Sequence, residues 1–132
     1  MNVHTVRSNL AGTVATIDGL RSVAYVPPKI VPPMAVVSVG AGRYDDTFAG
    51  SMTAEFGVLV LVARADDRSA QARLDDYISP TGTYSVKTAV DADPTLGGSV
   101  GTASVIGWSD PAEFEVGGAS YVGVEFTVEA CD

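Results

Sequence analysis

The chain has 132 residues, of which 46% are hydrophobic and 18% charged, with a formal net charge of -8. That length and apolar content suit one domain with a proper core and exclude a disordered tail. The acidic balance, with only eight scattered Lys and Arg, excludes a nucleic-acid groove, which needs clustered cations, while leaving room for a surface past which DNA slides.

Val3, Val6, Leu10, Val14 and Ile17 fall on one helical face, which predicts an N-terminal helix over residues 3–17. Asp18-Gly19 should close it, with Gly19 in the left-handed position that follows a helix end. Residues 21–26 read as a short strand. Pro27-Pro28 and Pro32-Pro33 then impose an extended, polyproline-like connection. Residues 34–39 are a second short apolar strand.

The stretch GAGRYDDTFAGS, residues 40–51, is the least regular part of the chain. A loop carrying Arg43, Tyr44, Asp45, Asp46 and Phe48 suits a contact surface. It equally suits a hairpin loop whose aromatics fold back on their own core. Residues 52–63 read as one long strand, apolar at every position from Val58 to Val62, as burial on both faces requires. Arg64, Ala65, Asp66 and Asp67 make a short turn in which either aspartate suits a helix N-cap. Ala70, Leu74, Tyr77 and Ile78 then recur at helical spacing, so a second helix packs back on the sheet.

A turn at residues 79–82 leads to a third helix over residues 84–92, capped by Thr83 or Ser85, with Val86, Ala89 and Val90 inward. Three strands close the chain, over residues 101–108, 113–116 and 120–129. Gly117-Gly118 supplies the positive φ values of a two-residue hairpin turn. In the last strand Val122, Val124, Phe126 and Val128 share one face and Glu125, Thr127 and Glu129 the other. It reads as half exposed and open to edge-to-edge pairing with a neighbouring subunit. The order predicts a single α+β domain over residues 1–132. Its sheet is mostly antiparallel or mixed, with a long β-hairpin arm and two to three helices packed on one face.

The search for chemistry returns little. Asp75-Asp76 diverge by about 100° on a helix and read as a solvated face. Asp66-Asp67 read as a cap beside the helix dipole, and Asp45-Asp46 is the pair that stays open as a metal site. His4, the single histidine, reads as a surface or helix-end residue, and Trp108 and Tyr121 as strand core or hairpin edge. Cys131 is the one cysteine, next to last; it has neither a disulfide nor a metal-ligand partner at sensible spacing. No serine sits in a G-x-S-x-G elbow, and no glycine cluster matches a dinucleotide or phosphate loop. The expectation is a non-enzyme without catalytic, cofactor or metal residues. No run approaches the ~20 apolar residues that cross a bilayer. The N-terminus also lacks the apolar segment of a secretory signal, which suggests a soluble, intracellular protein.

Several segments together resemble the tail terminator proteins of long-tailed bacteriophages, in the version found among phages of actinobacteria. They are LVLVARADDRSAQARLDDYISPTGTYSVKTAV at residues 59–90, DADPTLGG at 91–98 and FEVGGASYVGVEFTVEA at 114–130. The order of helix, Pro-Pro connection, YDDTF loop, strand, helix and Gly-Gly hairpin fits as well. The resemblance implies a virion protein, assembled in the host cytoplasm, that forms a homo-hexameric ring on the head-proximal end of the tail tube. Such a ring stops polymerisation of the tail tube protein and offers a surface to a head-completion or connector protein. Genome DNA passes through its lumen without specific binding, and no membrane is involved. Arg43, Tyr44, Asp45, Asp46 and Phe48, with Arg64 and Arg68 as salt-bridge partners, are then the expected interface. Another head–tail joining component, either a head-closure or a minor tail protein, shares these properties. A small ligand-binding module or an enzyme has less behind it.

Overall fold

The computed structural model describes residues 1–45, 50–64 and 69–132. Asn2 starts the first helix, α1 (Val3–Val14), by accepting a hydrogen bond from the Thr5 amide at 3.0 Å. That satisfies one of the amides a helix start leaves unpaired. The helix ends at Val14 rather than at residue 17. Beyond it Thr16 and Ile17 bond back three residues, to Thr13 and Val14, and Thr16 Oγ1 also donates to the Thr13 carbonyl. Ile17 is nevertheless buried, as its place on the apolar face requires. Gly19 does adopt a positive φ of 75°, but in the turn after this tightened stretch rather than at the helix end itself.

Strand β1 (Arg21–Val23) is shorter than its apolar pattern suggests. The connection to β2 (Met34–Arg43) bends repeatedly instead of running extended, and β1 lies parallel to β2. β2 also runs further than expected. Residues 40–43, expected in a loop, continue the strand because, past a register shift after Val39, Gly42 and Arg43 pair with Ala54 and Thr53 of β3 (Thr53–Arg64). The glycines here permit close contact, since a Cβ on Gly42 would lie 2.9 Å from the Thr53 carbonyl.

The second helix, α2, is Ala70–Ile78, and Ser69 occupies its cap position. Asp66 and Asp67 lie outside the described residues. Helix α3 (Val86–Asp91) has Ser85 as its N-cap, accepting from the Thr88 amide at 3.1 Å. β4 (Thr102–Trp108) leads to β5 (Ala112–Val116) and β6 (Ala119–Cys131), whose connecting Gly117 and Gly118 have φ of 61° and 80°. That is the left-handed pair a two-residue hairpin needs.

Among the described residues the fold is α+β: three helices and a six-stranded mixed sheet in the order β1-β2-β3-β6-β4, with β5 also on β6. β4 and β5 lie end to end along one edge of β6, pairing with Phe126–Cys131 and Ala119–Gly123, while β3 takes the other edge. The last strand is therefore interior. It has no free edge for a neighbour, contrary to the expectation from its half-polar pattern, because two short strands cover the side that β3 leaves open.

All three helices contribute to one core on one face of the sheet. Phe56, Val58, Val60 and Val62 of β3 meet Val124, Phe126 and Val128 of β6 there, under Leu10, Leu74, Val86 and Val90. By strand alternation Met34, Val36, Leu61 and Tyr121 face the other way, and they too are buried. β3 is thus covered on both sides near its middle, with Leu59 only partly so. The paired chains approach closest at Gly123, where a Cβ would lie 2.5 Å from the Val60 carbonyl.

Candidate functional site

The expected interface residues divide between the two ends of β3. From Ser38 to Arg43 every residue of β2 is exposed. Past Arg43 the chain presents Tyr44, 83% exposed, and Asp45, whose φ of 53° lies in the left-handed region that aspartate tolerates. Gly50 brings the chain back with a φ of 74°. Tyr44 does not fold back on its own core. Asp46 and Phe48 lie outside the described residues.

Arg64 closes β3 at the opposite end, about 36 Å away by the rise of an extended strand. Its guanidinium carbon stands 5.8 Å from the ring centroid of Tyr121, a cation–π contact within the chain. Arg68 lies outside the described residues. Arg43, Tyr44 and Asp45 therefore stay together, and Arg64 does not join them.

A groove that the sequence reading missed runs between the helical layer and β4. It encloses ≈ 610 Å³ and is lined chiefly by Ile78, Pro80, Val105, Ile106, Trp108 and Phe126, with Asp75 and Lys87 also on its walls. Ile106 is 54% and Trp108 57% exposed. Trp108 is thus not core, and it ends β4 at the edge of the sheet. Thr102 and Ser104 face solvent while Ala103 is buried, but Trp108 pairs with Phe126 and so stands on the sheet face that carries the core. A register shift between Val105 and Gly107 marks a β-bulge here, and a Cβ on Gly107 would meet nothing within 4 Å.

A smaller cleft of ≈ 360 Å³ lies between Asp18, Gly19 and Pro33 and the α2 residues Arg73, Asp76 and Tyr77, with Tyr84 beside them. Burial pushes the Tyr77 phenol above its usual value; Arg73 pulls it back in part, while Tyr84 and Asp76 add to the rise. Tyr77 and Tyr84 meet edge to face at 6.3 Å. On the outer side of α1, His4 Nδ1 is hydrogen-bonded to Tyr25 Oη at 2.9 Å, and the Arg7 guanidinium lies 4.0 Å over the Tyr25 ring. Arg7 Nε donates to the Ala24 carbonyl. These contacts pin the start of the β1–β2 connection to α1.

The chain ends form a clasp. The Met1 amino group is 3.0 Å from Asp132 Oδ1, and the Met52 amide donates to Asp132 Oδ2 at 3.1 Å. Those two donors hold the Asp132 carboxyl below its ordinary value. Cys131 is partly exposed and accepts from Thr53 Oγ1 at 3.6 Å. Asp75 and Asp76 are exposed on α2. Among the described residues no three His, Cys, Asp or Glu side chains group as a metal site, and no helix is long and apolar enough to cross a membrane. No protein-family model matches the chain, and no curated protein matches it.

Proposed function

We propose that the chain is a structural virion protein of a long-tailed bacteriophage, the tail terminator that caps the head-proximal end of the tail tube as a hexameric ring. The observation that carries this reading is the resemblance over residues 59–90, 91–98 and 114–130. Those segments supply the second half of β3, helices α2 and α3, and the β5–β6 hairpin. They are therefore the frame of the fold rather than one local motif. The exposed end of β2 with Tyr44, and the apolar groove beside β4, support it as surfaces on which identical subunits could join.

The work of such a protein is binding. A closed ring of identical subunits uses two different surfaces on each one, and the rotation between neighbours must close. Once closed on the tube end, the ring occupies the sites to which the next tube subunit would add, and its far side meets the head-completion protein. The charge of -8 per chain suits a lumen that repels phosphate, so that DNA passes without binding.

The test is assembly with and without the protein. Tube protein polymerising in its presence should give tubes of defined length capped at one end by a ring of six-subunit mass. Phage particles made without it should carry tails of uncontrolled length that do not join heads. Normal tails detached from heads would instead assign the chain to the head–tail joining proteins above the terminator. Normal tails on normal heads would refute a role at this junction.

A further inference from the structure

We infer that the groove beside β4 receives the tip formed by Arg43, Tyr44 and Asp45 at the end of β2 of a second copy of the chain, with Tyr44 as the inserted side chain. The inference rests on the ring reading and specifies its interface. Tyr44 is the most exposed of the large hydrophobic side chains among the described residues, and Ile106 and Trp108 are two of the next. Exposed apolar side chains gathered in one place mark contact surfaces, and Trp, Tyr and Arg are the residues that dominate binding energy at them. Here the groove is an open, apolar recess of ≈ 610 Å³, within the range of recesses that enclose large ligand groups. At the end of β2, Tyr44 presents an exposed aromatic ring.

Charge decides the occupant. Two copies carrying -8 each repel unless their contact interleaves opposite charges. The tip sets Arg43 on one side of Tyr44 and Asp45 on the other, and the groove wall sets Asp75 and Lys87 on different helices. Arg43 against Asp75, and Asp45 against Lys87, makes two opposite-charge pairs around one buried ring. Lys87 also bonds Asp91 at 3.0 Å, but both side chains are about half exposed and such a pair holds weakly. Arg43 has five N–H donors, so contacts within its own chain leave others to offer. In the sheet, β2 and β4 are separated by β3 and β6, so tip and groove are two distinct surfaces. Their contact runs head to tail, the arrangement that generates rings.

Trp108 provides the probe, because it lines the groove, is 57% exposed and shares a sheet face with Phe126. Trp108→Glu should place a charge in the recess without disturbing the fold. Its thermal midpoint should match that of the unaltered chain, while its mass in the presence of tube protein falls from ring to monomer. Asp45→Lys and Lys87→Asp should each weaken assembly at least tenfold, and the two together should restore it. Tyr44→Cys with Ile106→Cys, in a Cys131→Ser background, should give a ladder of covalent oligomers under mild oxidation, ending at the ring. Retention of the ring by Trp108→Glu, or no rescue by the paired charge reversal, overturns the inference and leaves the ring reading standing. A Trp108→Glu variant that still forms rings but no longer joins tube or head assigns the groove to that other partner. An unaltered chain that stays monomeric with and without tube protein overturns the ring reading as well.

Discussion

Two glycines show how differently the same residue is used. A Cβ on Gly123 would stand 2.5 Å from the Val60 carbonyl, so Gly123→Ala must push β6 away from β3 at the centre of the sheet. The expected loss is roughly 1–3 kcal/mol, the size of other overpacking strains, read as a lower urea midpoint. Gly107→Ala, in open space, should stay within about 0.5 kcal/mol. Tyr77 makes a second residue-level prediction. Burial raises its phenol pKa above the ordinary 10.0, so the folded chain holds this proton more tightly than the unfolded one. The resulting stability is fully present below pH 10 and is lost as pH rises through the folded value. Thermal midpoints of the unaltered chain should therefore fall more steeply above pH 10 than those of Tyr77→Phe.

At the scale of elements, caps and pairing decide where helices and strands stop. Ser85 accepts from the Thr88 amide and donates to the Ser79 carbonyl at 2.6 Å, joining the start of α3 to the end of α2. Ser85→Ala should cost about 1–2 kcal/mol, the upper part of the range for a lost N-cap, measured by chemical denaturation. The helical periodicities of Val6, Leu10 and Val14, and of Ala70, Leu74 and Tyr77, were plain in the sequence, and these residues are buried. Periodicity, however, reports which face is apolar, not where the backbone bonds change. The face continues to Ile17 while the α-helical bonding stops at Val14. The extension of β2 through Gly40 and Gly42 was hidden for a related reason. Glycine is a poor strand former by itself, and only the pairing of Gly42 and Arg43 with β3 carries the strand past Gly40.

For the whole molecule, stability rests on one core shared by the sheet and all three helices. Phe56 and Phe126 are its largest fully buried side chains. Phe56→Ala should cost about 3–5 kcal/mol, a large part of the ~5–15 kcal/mol that holds a domain folded. The unfolding transition should move as one step by fluorescence and circular dichroism alike, because β3 and β6 pair along most of their length. A transition that split in two would contradict a single shared core.

The sequence by itself determined the α+β class, the long buried strand, the inward faces of the helices and the Gly117-Gly118 hairpin, and it narrowed the α3 cap to Thr83 or Ser85. Each depends on neighbours within a few residues or on one strand's alternation, and that information is local. Only the tertiary structure decided that β6 lies inside the sheet with both edges occupied, and that Arg64 stands at the far end of β3 from Tyr44. It alone placed Trp108 and Ile106 on the wall of a groove against residues of α2 and α3. These are relations between segments far apart in the chain. Sheet order and the space left between layers follow from how all the segments pack together, which no single stretch encodes.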